Sequence, residues 1–213
     1  MAVLVVADHD NQSVRDSTHK TVTAAQALGE VDILVAGTNA AAVAAQAAKI
    51  AGVRQVLAAD SVELGQGIAE AFEALIVPLM ANYDAVLIPA SSAGKNFSPR
   101  VAAKLDVAQI SDVVEIVDAS TFVRPIYAGN ALETIQSSDA KKVITVRPTV
   151  FQAAAEGGSA SVETIAAPPP SAKSHFVDQQ IVKSARPELG AAKIVVSGGR
   201  AMGSADEFHR VIE

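Results

Sequence analysis

The sequence contains no cysteine and no tryptophan, and only 4% of its residues are aromatic. Without cysteine there can be no disulfide, no thiolate metal site and no cysteine nucleophile, which fits a reducing compartment. The shortage of large rings weighs against a sandwich built around them and favours helices packed tightly on a sheet. Basic runs are missing as well. The net charge is −6, and no cluster of Lys or Arg could neutralise several phosphates, so nucleic acid is not expected as a partner. No stretch is long and apolar enough to span a bilayer: the most apolar one, Ile68–Met80, carries Glu70, Glu73 and Pro78. The opening "MAVLVVADHD" has neither a basic leader before a long apolar run nor an Arg-rich presequence. The expected setting is therefore the cytoplasm, with no direct membrane insertion.

What is present is apolar and rhythmic. Half the residues are apolar, enough for at least one substantial core. Val3–Ala7 reads as a buried strand, Asp16–Leu28 as a helix ended by Gly29, and Asp32–Gly37 as a second strand. Asn39 is placed to cap an Ala-rich helix that stops at Gly52. A third strand, "RQVLAAD", is followed by Asp60 and Glu63 as a capping pair for a helix with Ile68, Phe72, Leu75, Ile76 and Leu79 on one side. "DAVLIPA" is a fourth strand, and Ser98-Pro99 is a favoured cap and first-turn proline for another helix. Alternation of continuous apolar strands with helices predicts an α/β fold, a parallel sheet sandwiched between helices. From Asp106 the rhythm changes. Val113–Val117, Thr121–Tyr127, Ala131–Gln136 and Val143–Arg147 read as an added β meander. Gln152–Ser174, rich in Ala, Gly, Ser and Pro, reads as a surface connection with one strand at Val162–Ala166; "SARPELGAAK" then marks a boundary.

Three stretches could carry chemistry. "PASSAGKNF" at Pro89–Phe97 imitates a phosphate-binding loop, with Gly94-Lys95 between a strand and a helix. Pro89 stands where the first glycine should be and Asn96 replaces the hydroxyl that would hold Mg²⁺, so the stretch reads as a polar strand-to-helix connection. "DHDNQ" at Asp8–Gln12 lies past the first strand, where open α/β sheets bind ligands. Asp8, His9 and Asp10 lack a further metal ligand, and His19, His175 and His209 are scattered, so no metal site is expected. Neither a G-x-S-x-G elbow nor a Ser–His–Asp cluster is visible, and no catalytic residue is assigned. The closing "SGGRAMGS" follows the apolar run Ile194–Val196 and precedes a helix start, with Ser204 and Glu207 at capping-box spacing. Gly198 and Gly199 would let the backbone approach a ligand, and Arg200 could grip a phosphate. A tight turn with a solvent-facing arginine remains the other reading.

Four stretches together, "LDVAQISDVVEI" from Leu105, "FVRPIYAGNAL" from Phe122, "KKVITVRPTVF" from Lys141 and "RPELGAAKIVVSGGR" from Arg186, resemble in order the α subunit of electron transfer flavoprotein. That resemblance implies residues 1–187 as an N-terminal α/β domain and 188–213 as the truncated beginning of the domain that holds FAD. It also implies a heterodimer with a β subunit, which carries AMP in many members of the family. Electrons would arrive from acyl-CoA and related dehydrogenases, as in fatty acid β-oxidation, and leave to a membrane quinone oxidoreductase. Such a protein is an electron carrier, not an enzyme. Arg200 falls on the arginine of the family's "SGGRG" loop, which contacts FAD, and is the one cofactor-binding residue carried over. Ala201 departs from that loop's next glycine, and the family's later "GASRA" and "VGQTG" segments have no counterpart here. The expectation is that this chain acts mainly as scaffold and β-subunit interface, binds FAD weakly or not at all by itself, and leaves Lys193–Glu213 without a core of its own. The competing expectation is an enzyme or sensor that binds an adenine nucleotide at the end of the parallel sheet.

Overall fold

Short runs of Val, Leu, Ile and Ala form the strands, because a strand covered on both faces needs apolar side chains at every position. The computed structural model describes residues 1–171, 173–180, 189, 192 and 194–212. It divides into two compact units, Met1–Val177 and Asp178–Glu213. The boundary expected at 187/188 lies outside the described residues.

In the first unit, β1 (Ala2–Val6), α1 (Asp16–Gln26), β2 (Glu30–Gly37), α2 (Ala40–Ala47) and β3 (Val53–Asp60) follow one another. Next come α3 (Val62–Gly65), α4 (Ala69–Leu79), β4 (Ala85–Pro89) and α5 (Ser92–Leu105). The strands β5 (Gln109–Val113), β9 (Lys142–Val146) and β10 (Ser161–Ile165) complete a seven-stranded sheet of order β10-β3-β2-β1-β4-β9-β5. Every pairing in it is parallel. The α/β sandwich expected from the alternation is therefore the observed architecture. Side chains of β1 divide by parity: Val3 and Val5 pack with Val22 of α1 and Val43 of α2, whereas Leu4 and Val6 pack with Phe72 of α4 and Val101 of α5. At the turn between α1 and β2, Gly29 has φ +155°, and a Cβ there would lie 2.2 Å from the Met1 carbonyl oxygen, so only glycine fits.

Four local expectations are corrected. Val143–Val146 leaves the meander and enters the main sheet between β4 and β5. All five β9 residues are buried, the mark of a central parallel strand. The meander is instead a three-stranded antiparallel sheet of β6 (Glu115–Ile116), β7 (Thr121–Ile126) and β8 (Ala131–Gln136). Second, α5 does not start at Ser98-Pro99. Ser91 caps it, its hydroxyl accepting from the Gly94 N–H at 3.2 Å, and Pro99 lies inside the helix. Burial of Phe97 and Val101 on that helix outweighs the one backbone bond a proline removes. Third, Asp60 and Glu63 do not cap the helix carrying Phe72. Ser61 caps the short α3 and the chain breaks at Gln66–Ile68 before α4.

Fourth, Asn39 occupies the cap position of α2 with left-handed backbone (φ 57°) and no side-chain capping bond. Asp60, arriving at the end of β3, takes that role instead, accepting from the Ala40 N–H at 2.9 Å. Asp60→Ala is accordingly expected to cost about 1 kcal/mol. Asn39→Gly should change stability by less than roughly 0.5 kcal/mol, because glycine adopts the left-handed backbone freely. Chemical denaturation of the two variants checks the contrast.

The connection from β9 to β10 crosses the layer formed by α1 and α2. Ala154 N–H donates to the His19 carbonyl (3.1 Å), Ala51 N–H to Ala155 (2.8 Å) and Ala160 N–H to Ala48 (3.0 Å). It thus carries the chain to the far edge, where the expected strand forms one residue earlier, as Ser161–Ile165, and pairs with β3.

In the second unit, α6 (Ala205–Ile212) forms where Ser204 predicts it. The Ser204 hydroxyl accepts from the Glu207 N–H at 3.1 Å. The reciprocal half of the box is absent: the Glu207 carboxylate accepts from Arg210 instead, which holds its pKa below the usual carboxylate range. Ile194–Val196, expected as a strand, is exposed and has no ladder partner among the described residues. A strand exists only through a neighbour's N–H and C=O groups, and none of the described residues provides them.

Candidate functional site

Strand order reverses between β1 and β4, and the crevice outside their C-terminal ends is where open α/β sheets place ligands. A cavity of about 240 Å³ lies there, lined by Asp8, His9, Asn11, Gly65, Ser91 and Gly94 among others. Two of the three stretches singled out by sequence therefore meet in one crevice.

Their polar groups are spent on each other. Asn11 N–H donates to His9 Nδ1 (3.1 Å), so Nε2 carries the proton and donates to the Ala36 carbonyl (3.1 Å). The Asn11 side chain bridges the walls, accepting from Thr38 N–H (3.0 Å) and donating to the Gly65 carbonyl (3.0 Å). Asp8 accepts from the Ser17 hydroxyl (2.8 Å) and lies 3.9 Å from Arg15. Asp10 folds back on its own loop, accepting from Gln12 N–H (2.9 Å) and Ser13 N–H (2.7 Å). These bonds, that from Ser13 first, lower its pKa. Among the described residues no group of three His, Asp or Glu side chains could hold a metal.

The imitation of a phosphate loop closes on itself. A Cβ at Gly94 would lie 2.1 Å from the Pro89 carbonyl oxygen, so glycine serves tight packing of α5 against β4. Lys95, which would reach a nucleotide's phosphates, lies 3.1 Å from Asp112 of β5. Beneath the crevice, Phe72 and Phe97 stack with centroids 4.5 Å apart.

Burial dominates the titration of His9 and lowers its pKa below the ordinary 6.5, outweighing the opposing pull of the Ala36 carbonyl and of Asp8 and Asp10. A histidine whose folded pKa is depressed contributes stability above the unfolded value. That contribution is lost as pH falls from about 6.5 through the folded value. Between about pH 7 and 5 the melting temperature of the protein should therefore fall more steeply than that of His9→Gln, the carboxylates being common to both. Parallel profiles would contradict the buried neutral imidazole.

The closing glycine loop has a different character. Arg200 opens a single 3₁₀ turn, Arg200–Met202, and is exposed. No carboxylate pairs with it among the described residues. Gly198 makes room for its neighbours: a Cβ there would meet Met202 at 2.9 Å and Phe208 at 3.0 Å. At Gly199 nothing lies within 4 Å of that position, so open space borders the backbone just ahead of the guanidinium. An arginine with no carboxylate partner among the described residues, beside an open glycine, makes a donor set that fits a phosphate-bearing group.

A seven-stranded parallel sheet covered by helices, with a small antiparallel sheet appended, makes the first unit an α/β domain. The model of the electron transfer flavoprotein domain matches residues 3–170, and the chain belongs to the electron transfer flavoprotein family. It is 56% identical over 210 residues to the electron transfer flavoprotein subunit alpha of Pseudomonas aeruginosa, covering 98% of this chain and 68% of that protein. The subunit alpha of Bradyrhizobium diazoefficiens is 53% identical over 214 residues, covering 100% and 68%. A probable mitochondrial subunit alpha of Caenorhabditis elegans is 43% identical over 218 residues, covering 100% and 65%.

Proposed function

We propose that this chain serves in the α subunit of an electron transfer flavoprotein, a carrier of electrons rather than an enzyme acting on an organic substrate. The observation that carries the reading is 56% identity sustained over 98% of the chain to a protein named as that subunit. In it, residues up to about 187 form the N-terminal scaffold that holds a β subunit, and residues from about 188 begin the FAD-binding domain. FAD, when bound, supplies reversible electron uptake. Arg200 would contribute donors to its phosphates, with Gly199 leaving the backbone open to them. Acyl-CoA and related dehydrogenases would be the electron donors and a membrane quinone oxidoreductase the acceptor. AMP would belong to the β subunit. Occurrence of subunit alpha in two bacteria supports a bacterial cytoplasmic form. Among the described residues no helix is long and apolar enough to cross a membrane.

The alternative, an adenine-nucleotide enzyme or sensor, draws no support from the crevice above β1 and β4. His9 and Asn11 are already bonded there, and Lys95 is paired to Asp112. Arg200→Ala, made in the full reading frame and purified with the β subunit, tests the assignment. FAD affinity should fall roughly 10- to 100-fold, the worth of a charge-assisted bond, with Arg200→Lys between the two. Melting of the first unit should not change. Unaltered affinity would remove Arg200 from the cofactor site.

A further inference from the structure

Gly198 and Gly199 stand side by side in the closing loop but serve different ends. A Cβ at Gly198 would lie 2.9 Å from Met202 Cγ, 3.1 Å from Met202 Cε and 3.0 Å from Phe208 Cδ2. Two side chains thus converge on one point above Gly198, and they can meet there because glycine places nothing between them. Both are half-buried, although every residue from Ile194 to Ala201 is exposed. Gly198 is a seat for side chains, whereas Gly199 borders open space.

The backbone joining these groups is tied at each step. Met202 N–H donates to the Gly199 carbonyl and Gly203 N–H to the Arg200 carbonyl, both at 3.0 Å, which makes the 3₁₀ turn. Ser204 N–H then donates to the Met202 carbonyl at 2.9 Å across Gly203, whose backbone has φ 76° and ψ −42°. A bond spanning two residues with positive φ between them is a γ-turn of the rare hand, which glycine tolerates. Phe208 N–H donates to the Ser204 carbonyl at 3.1 Å as α6 begins. The reversal at Gly203 brings α6 back over the turn, so Phe208 reaches Gly198 from the far side of Arg200. A single 3₁₀ turn does not hold its shape in water by its own bonds, and this clasp closes across it.

Resting on the reading of Arg200 as a donor to the FAD phosphates, we propose that Met202 and Phe208 are positioning residues for that cofactor. Packed on Gly198, they fix the turn from which the guanidinium reaches the phosphate, and they act through Arg200 rather than by contacts of their own. Arginine gives up rotamer freedom on binding, so a turn fixed beforehand leaves less to be ordered at that moment. The polar groups nearby are committed elsewhere. The Glu207 carboxylate accepts from Arg210 at 2.9 Å, and the Ser204 hydroxyl accepts from the Glu207 N–H at 3.1 Å. Packing on Gly198 is therefore what remains to hold the turn.

The test titrates FAD into the full reading frame purified with its partner subunit. The variants are Phe208→Ala, Phe208→Leu, Gly198→Val, Arg200→Ala and the double variant Phe208→Ala with Arg200→Ala. Phe208→Ala should weaken FAD binding roughly 10-fold, and Gly198→Val, which wedges the same contact from its other side, by a similar factor. Phe208→Leu refills most of the volume and should stay within about 3-fold of the parent. With Arg200 already alanine, Phe208→Ala should cost less than about 2-fold more, since the group it positions is gone. A further loss of roughly 10-fold in that background would make Phe208 an independent part of the packing and overturn the proposal. So would parent-like binding by Phe208→Ala and Gly198→Val while Arg200→Ala binds weakly. Unaltered affinity of Arg200→Ala would instead remove the reading of the loop on which the proposal rests.

Discussion

Phe122→Ala is expected to lower stability by about 3–5 kcal/mol, the largest effect of any single truncation proposed for this protein. Phe122 is fully buried and stands first by volume among such side chains. It sits on the small antiparallel sheet but packs into the core of the large one, with Ile116 and Ile135 beside it. Removing the ring deletes apolar contact and leaves a void walled by two sheets, neither of which can move inward without breaking its own ladder. Calorimetry should show a melting temperature lower by roughly 6–20 °C, given about 2–4 °C per kcal/mol for a unit of this size. Leu132→Ala, on the outward face of the same sheet, should stay within roughly 0.5 kcal/mol of the parent. A small loss at Phe122 would mean that the antiparallel sheet is only loosely attached.

The second large effect concerns a charge. Asp32 lies inside β2 with 1% exposure. Its carboxylate accepts two bonds from Arg54, at 2.9 and 2.6 Å, and one from the Tyr83 hydroxyl at 2.6 Å. Burial, followed by that bond, pushes the Tyr83 pKa well up, so the phenol stays protonated and donating. Arg54 is about half exposed, its side chain retaining 54% of its surface, and can return to water; Asp32 cannot. Removing the cation is therefore worse than removing the carboxylate. Arg54→Met should cost about 3 kcal/mol because it strands a buried charge. The combined replacement Asp32→Leu, Arg54→Met and Tyr83→Phe should recover most of that loss, since it leaves no buried group unsatisfied. Urea unfolding of the single and triple variants measures both. Equal losses would show that water already reaches Asp32.

Much of the parallel sheet was legible because burial on both faces leaves an uninterrupted apolar signature, as in "VLVV" and "AVLI". The same signature in "KVITV" was readable in principle, yet its neighbours in sequence drew it into the meander. Sequence proximity is a poor guide where a strand returns to a sheet after an excursion. Caps were less legible than strands. Asp60 caps a helix twenty residues earlier, a tertiary contact that local spacing cannot reveal. Ser91 stands at the start of α5 and Ser98 in its middle, and Pro99 made the wrong one more attractive. A signal for the Asp32 cluster did exist: a carboxylate set between apolar residues in "VDILVAG" must find a partner once the strand is buried. What could not be read was which arginine and which tyrosine would come from other segments. Of the candidate site, the bonded state of His9 and Asn11 was invisible for the same reason, and so was the difference between the crowded Gly198 and the open Gly199.

Flavin content decides whether the chain is part of an electron carrier. The full reading frame containing it, purified with its partner subunit, is expected to hold FAD in stoichiometric amount and to lose the oxidised flavin absorbance when a reduced acyl-CoA dehydrogenase is added. A well-folded heterodimer that takes up no FAD, or whose flavin no such dehydrogenase can reduce, would contradict the assignment.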